Sequence, residues 1–368
     1  MEKYLGENIP QLGFGLMRLP MDGEKVDVEQ TKKMADIFLE RGFTYFDTSY
    51  VYHNGESERA IKRALVERHD RNTYTLASKF PTFIMPKPEQ VEGIFQEQLD
   101  KCGVDYFDYY LLHNLNRTLY VDEVEKYHLF DYMKKWKEEG KIKHLGFSYH
   151  DDAKHLDKIL NDHPEVEFVQ IIINYYDWDE PFIQAKACYD VIRKHGCDVI
   201  VMEPVKGGML AKVPETALNK MKELDTSASA SSYAVRFAAG HEGILTVLSG
   251  MSTLEQVKDN TSYMTDFKPL NKEELEVLDY TKKEIMKTWK YSCEEINAPV
   301  SSILRAYNSI LIQPNPFFAA ELNYYKTFKL GYNEDFEKTD YSAFNEKAGY
   351  DVNNAIKEAI DFQTEHSF

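Results

Sequence analysis

Cysteine is scarce. The 368 residues contain four, Cys102, Cys188, Cys197 and Cys293, and no two stand at Cys-x-x-Cys spacing. That argues against a disulfide framework or a structural zinc site and for reduced thiols. Long apolar runs are missing too: none approaches the 18 residues of a membrane-spanning helix, and the opening MEKYLGENIPQLGFG has no apolar signal core. The expected location is therefore cytoplasmic, with no membrane partner. Positive charge is in deficit, with 44 Lys and Arg against 61 Asp and Glu and a net charge of −17. Nucleic acid is accordingly not an expected partner. Nor is there a dinucleotide fingerprint. Gly13-Phe14-Gly15 is followed by Arg18 where a third glycine belongs, and Pro20 comes next. His150 and His155 lack convincing carboxylate or cysteine partners, and His241-Glu242 lacks a second histidine at metalloprotease spacing, so no metal site is expected.

What the chain does have is alternation. Apolar, β-branched and aromatic runs recur at residues 13–17, 44–47, 73–79, 106–113, 143–148, 166–173, 198–203 and 243–248. Between them lie stretches with helical apolar spacing at 27–41, 57–68, 89–102, 121–139, 151–161, 181–195 and 228–239, and 253–261 follows the last run. Gly42, Gly103 and Gly140 stop three of these stretches, as C-terminal caps do. Eight continuous apolar strands separated by helices predict an α/β fold, the (β/α)8 TIM barrel. An open, doubly wound sheet would want the glycine-rich first turn that is missing. After Pro269 the pattern turns mostly helical, at 271–291, 299–312 and 350–363. The expected division is a barrel over 1–268 and a helical extension over 269–368.

Ionisable residues close several strands. Asp47 ends one, Tyr52 follows five residues later, Lys79 ends the next and His113 the one after. In a parallel barrel these ends gather at one face. Singly, each has an ordinary explanation: a helix-capping aspartate, a surface tyrosine, a satisfied core histidine. Together they offer matched chemistry. A tyrosine titrates near ~10 unless a neighbouring ammonium stabilises its phenolate. Lys79 can do this, Asp47 can hold Lys79 charged, and His113 can donate to a carbonyl oxygen as charge develops there. The set suits reduction of a carbonyl, with Tyr52 as the general acid.

Asp-Thr-Ser-x-x-Tyr at Asp47–Tyr52, with Lys79 and His113, resembles the aldo-keto reductase superfamily. So do Gly146-Phe147-Ser148, Gln170 with Asn174, and GMSTLEQVKDN at 250–260. The resemblance covers about residues 10–265. It implies a barrel that binds NADP or NAD without a Rossmann domain, a small carbonyl or alcohol substrate, and a monomer or small homo-oligomer. It also implies cofactor contacts: Ser148, Gln170 and Met202 at the nicotinamide; Gly207, Gly208 and Leu210 along the pyrophosphate; Gly250, Met251 and Ser252 at the adenosine phosphate; Gln256 and Asn260 at the adenine.

Three departures stand out. Tyr149 replaces an asparagine common beside the serine, Met202 stands near the position where an aromatic commonly stacks on nicotinamide, and the Lys or Arg that NADP-preferring relatives often place near Gly250 and Gln256 to hold a 2′-phosphate is missing, although Lys258 is close. The choice between NADPH and NADH is open at this point. The extension resembles the ferredoxin-like tail of some bacterial members, but with Cys293 as its one cysteine, no iron–sulfur cluster is expected. Phe317 and Phe318 would suit a lid over the substrate. The alternative function is a cofactor-binding sensor on the same fold with little turnover.

Overall fold

The computed structural model describes residues 9–84, 87–181, 183–292, 296, 300–312 and 339–365. Cys293, Phe317 and Phe318 lie outside them. The eight expected strands are β1 (Leu12–Gly15), β2 (Tyr45–Asp47), β3 (Thr75–Phe80), β4 (Phe107–Leu115), β5 (Ile142–Tyr149), β6 (Phe168–Ile172), β7 (Asp198–Met202) and β8 (Ile244–Ser249). Each pairs in parallel with the next, and β1 pairs with both β8 and β2, which closes the barrel. Tyr45, Ala77, Tyr109, Leu111, Phe168, Ile200, Leu245 and Leu248 pack together as a buried cluster contributed by six of the eight strands once Ile9 is left aside. Space inside is tight. A Cβ on Gly146 of β5 would collide with the carbonyl oxygen of Phe168 on β6, so only glycine lets these two strands approach.

Helices follow from local signals. Asp27 caps Val28–Glu40 by accepting a hydrogen bond from Gln30 N, and Gly103 ends Val91–Cys102 in the left-handed conformation. Some elements differ from expectation. The single helix expected over 121–139 is divided: a π-helical turn covers Tyr120–Glu125, and Leu129–Glu138 starts after His128, whose φ is 53°. A helix over Glu215–Leu224 was not expected at all. Nor was the small antiparallel pair Met21–Asp22 and Lys25–Val26, turned at Gly23 with φ 61°.

The chain divides into two compact units. The first, residues 1–179, 184–204 and 235–270, contains all eight barrel strands. The second comprises 180–183, 205–234 and 271–368, and so takes in a segment that the sequence reading grouped with the barrel. Its own buried cluster joins Tyr291, Val300, Ile303, Leu304 and Tyr307 to Val352, Ala355, Ile356 and Ala359. These residues lie on or beside the helices Val300–Ile312 and Val352–Glu365. Inside it, buried Asn308 donates to Tyr291 O (2.7 Å) and accepts from Tyr291 N (3.1 Å). Among the described residues, no helix is long and apolar enough to cross a membrane.

Candidate active site

β2, β3 and β4 are neighbours in the barrel, and their C-terminal ends bring the four ionisable residues together. Asp47 and Lys79 are almost wholly buried. The Lys79 ammonium donates to Asp47 Oδ1 and to Thr48 O at 2.8 Å, and its charge acts on the Tyr52 phenol. The ammonium also lies 4.8 Å from the Tyr52 ring centre. Tyr52 and His113 meet edge to face, their centres 5.9 Å apart.

Local backbone sets these positions. After Tyr52, three consecutive residues take left-handed geometry: His53 (φ 52°), Asn54 (φ 55°) and Gly55 (φ 87°). His53 Nε2 anchors the turn by accepting from Leu19 N at 3.1 Å. Such a run costs backbone energy and recurs where a side chain must be held in place. His113 sits at a bulge. β4 and β5 pair as Leu112 with Phe147 and next as Leu115 with Tyr149, leaving an extra residue on β4, and Asn114 has φ 65°. Asn114 N then donates to Ser148 Oγ at 2.7 Å. The strand thus runs past His113, which the sequence reading took as its end.

Burial dominates the protonation of the cluster. It pushes the Asp47 carboxyl up, and the adjacent Lys79 charge only partly offsets this. It opposes charge on Lys79, but Asp47 and Tyr52 outweigh it and hold the ammonium above its ordinary value. The Tyr52 phenol is also raised: burial exceeds the pull of Lys79, and Asp47 and Glu203 add to the rise. The expectation of a tyrosine drawn down towards neutrality omitted this desolvation. His113 is held well below its usual value, first by burial, then by the positive charge of Lys79 and by His150. Its Nδ1 lies 3.1 Å from Ser49 Oγ, and the Phe83 ring packs at 5.3 Å.

A second layer supports the first, and sequence reasoning missed it. Glu58, in what reads as an exposed acidic helix start, is fully buried. Its Oε1 accepts from Ser78 Oγ (2.8 Å) and Gln98 Nε2 (2.7 Å), while Gln98 also donates to Lys79 O at 3.1 Å. Ser57 and Glu58 are buried along with Ala60 and Ile61, an inward tilt that mixed polarity conceals.

The other expected site residues stand at the remaining strand ends or in the second unit. Ser148 and Gln170 are register partners on β5 and β6, and Met202 ends β7. Gln170 is buried, and its Oε1 has no hydrogen-bond partner among the described residues. Tyr149 is buried and donates from its hydroxyl to Asp152 O at 2.7 Å. Gly250 follows β8. Met251 is core. Ser252 Oγ donates to Arg18 O (2.6 Å), Gln256 Oε1 accepts from Ser252 N (2.6 Å), and Asn260 Nδ2 donates to Ser249 Oγ (2.6 Å). These side chains brace the loop. Gly207 (φ 62°), Gly208 (φ 98°) and buried Leu210 lie in the second unit, where a Lys206–Ala211 turn requires the left-handed glycines. Among the described residues, no group of His, Cys, Asp and Glu is arranged to hold a metal ion.

An orphaned acceptor such as Gln170 Oε1 calls for an N–H donor, and a carboxamide beside Ser148 would supply one. The residues present therefore fit a nicotinamide.

Comparison with known proteins bears on the family and the fold. The aldo/keto reductase family model matches residues 11–283. The chain is 30% identical over 179 residues to aldo-keto reductase family 1 member C18 of Rattus norvegicus, covering 44% of this chain and 53% of that protein. It thus spans about half the length of the curated relatives it matches. Among solved structures, aldo-keto reductase AKR11C1 from Bacillus halodurans superposes with a TM-score of 0.58 at 23% identity, over 75% of this chain and 93% of that one. An aldo/keto reductase from Klebsiella pneumoniae, solved with NADP and acetate, gives 0.60 at 20% identity, over 74% and 91%. At such identities these structures establish the fold alone. With the family model matching most of its length, this chain belongs to the aldo/keto reductase family.

Proposed function

We propose that the protein is an NAD(P)-dependent oxidoreductase that reduces an aldehyde or ketone to an alcohol, with Tyr52 as the general acid. The observation that carries this reading is the buried ammonium of Lys79, which donates to Asp47 and lies 4.8 Å from the Tyr52 ring centre, with His113 alongside. Ser148 and Gln170 would hold the nicotinamide amide and Met202 would lie against the ring; when bound, the reduced nicotinamide supplies the hydride.

The remaining chemistry falls to the chain. Tyr52 stays protonated at neutral pH because burial raises its pKa. It can donate that proton to a carbonyl oxygen as negative charge builds there. Lys79 then stabilises the phenolate, since its charge already pulls the phenol pKa down against burial. His113 stays neutral. In the tautomer in which the Ser49 hydroxyl donates to Nδ1, the ring proton sits on Nε2, where it can donate to the same carbonyl.

Tyr52→Phe removes the acid and little else. Turnover should fall by about 10²–10⁴-fold, while the dissociation constants for NADPH and NADH, read by fluorescence, stay within about twofold. Unchanged turnover would reject Tyr52 as the acid. Binding of a dinucleotide by wild-type protein without turnover across a panel of carbonyls would favour the sensor reading instead.

A further inference from the structure

Lys79 is braced at both ends by one short stretch of chain. At its root, the backbone of β3 runs out of partner strand. Ala77 pairs with Asp47, the last residue of β2, and its carbonyl accepts from Thr48 N at 2.9 Å. By strand alternation, Lys79 is the next residue of β3 to turn its backbone towards β2, beyond the point where β2 ends. A buried carbonyl there needs another donor, and Gln98, on the helix Val91–Cys102, supplies it. The Gln98 carboxamide is itself fixed. Its Nε2 also reaches Glu58 Oε1 (2.7 Å) and Ser78 Oγ (3.0 Å), and its Oε1 accepts from the Tyr110 hydroxyl.

At its tip, the ammonium donates to Thr48 O at 2.8 Å. The Thr48 hydroxyl lies 2.8 Å from Ser57 Oγ, and Ser57 in turn donates to Leu16 O at 3.2 Å, so Thr48 is the donor of the pair. Thr48, Ser57, Glu58, Ser78 and Gln98 are all fully buried. Ser57 and Glu58 are consecutive in the helix Glu56–Ile61, which opens directly after the left-handed turn that follows Tyr52. The phenol and both braces of the ammonium thus hang from residues 47–58. Burying a carboxyl among hydroxyls and an amide is costly where apolar side chains would pack. What these groups share is that their hydrogen bonds converge on Lys79.

We propose that Ser57 and Glu58 are positioning residues for Lys79. Glu58 acts through Gln98 on the lysine carbonyl, Ser57 acts through Thr48 on the ammonium, and together they set the distance from that charge to the Tyr52 phenol. This rests on the oxidoreductase reading above and names what holds its cation in register. The working atom of Glu58 is Oε1, since Oε2 has no hydrogen-bond partner among the described residues.

The test is turnover of a carbonyl by purified full-length protein, with NADPH and NADH binding followed separately by fluorescence. Glu58→Ala should lower kcat by about 10–100-fold, the effect of a small misplacement at a reacting centre, while both dissociation constants stay within about twofold. Glu58→Gln keeps an acceptor at Oε1 and should recover most of the loss. Ser57→Ala deletes a single hydroxyl and should lower kcat by about 3–10-fold, the worth of one hydrogen bond; it decides the matter if Glu58→Ala does not fold. In a Tyr52→Phe background neither substitution should lower kcat much further, because both act through the group that Lys79 serves. Unchanged kcat in Ser57→Ala and Glu58→Ala overturns the proposal, as does a loss that Glu58→Gln leaves unrecovered. A loss that persists in full beside Tyr52→Phe assigns the network to general stability and overturns it too. Wild-type protein that turns over no carbonyl sinks the oxidoreductase reading and this inference with it, whereas wild-type turnover indifferent to Ser57 and Glu58 sinks this inference alone.

Discussion

Tyr52 and His113 have their protonation set in opposite directions by the same burial. The Tyr52 pKa is raised, so the phenol is protonated through neutral pH and is lost as an acid only as pH rises past the ordinary tyrosine value of about 10. The His113 pKa is lowered, so its ring stays neutral below the usual ~6.5. Carbonyl reduction should accordingly show no break near pH 6.5 from His113, and its NMR ring signals should not titrate between about pH 8 and 6. Stability follows the same sign. Unfolded His113 takes up a proton before the folded residue does, so its contribution is present above about pH 6.5 and declines as pH falls below that value. A His113 titration near 6.5 in the folded protein would refute the assignment. The residues themselves were legible because each polar side chain closes an apolar run. Their pKa values were not, since desolvation comes from neighbours on other strands.

Among elements, the β5–β6 pair shows how backbone approach fixes the site. Gly146 sits two positions before Ser148, and Ser148 is the register partner of Gln170. Gly146→Ala should cost about 3 kcal/mol or more, because the added methyl meets backbone that cannot rotate away. Urea unfolding measures the cost, and a change below 1 kcal/mol, on the order of an ordinary surface substitution, would show that the strands part easily. The alternation of strands and helices could be read because parallel strands covered on both faces are apolar throughout. Glu58 could not, since its partners Ser78 and Gln98 are distant in the chain and its neighbours look solvent-facing. The bulge at Asn114 was hidden for a related reason: nothing in FDYYLLHNL marks where pairing slips. The helix over Glu215–Leu224 buries only Ala217 and Met221, too thin an apolar stripe to stand out.

At the scale of the molecule, family membership and barrel closure agree with the reading from sequence, while the boundary of the second unit does not follow chain order. A segment inside the βα succession, 205–234, groups with the C-terminal helices, and only three-dimensional contacts reveal this. The second unit has a buried cluster of its own, and Leu304 is fully buried in it. Leu304→Ala should cost that cluster about 2–5 kcal/mol, seen as faster amide hydrogen exchange across residues 300–312 and 352–362. Unaltered exchange there would mean the cluster does not hold these helices. The closed strand order carries a longer consequence. The residues proposed to handle the proton stand on or just after β2, β3 and β4, whereas Ser148, Gln170, Met202 and Gly250, proposed for the cofactor, stand at or just beyond the ends of β5, β6, β7 and β8. Mutation can therefore explore one arc of the rim while the other stays intact, so a lineage can trade one nucleotide for another without relearning how to move a proton.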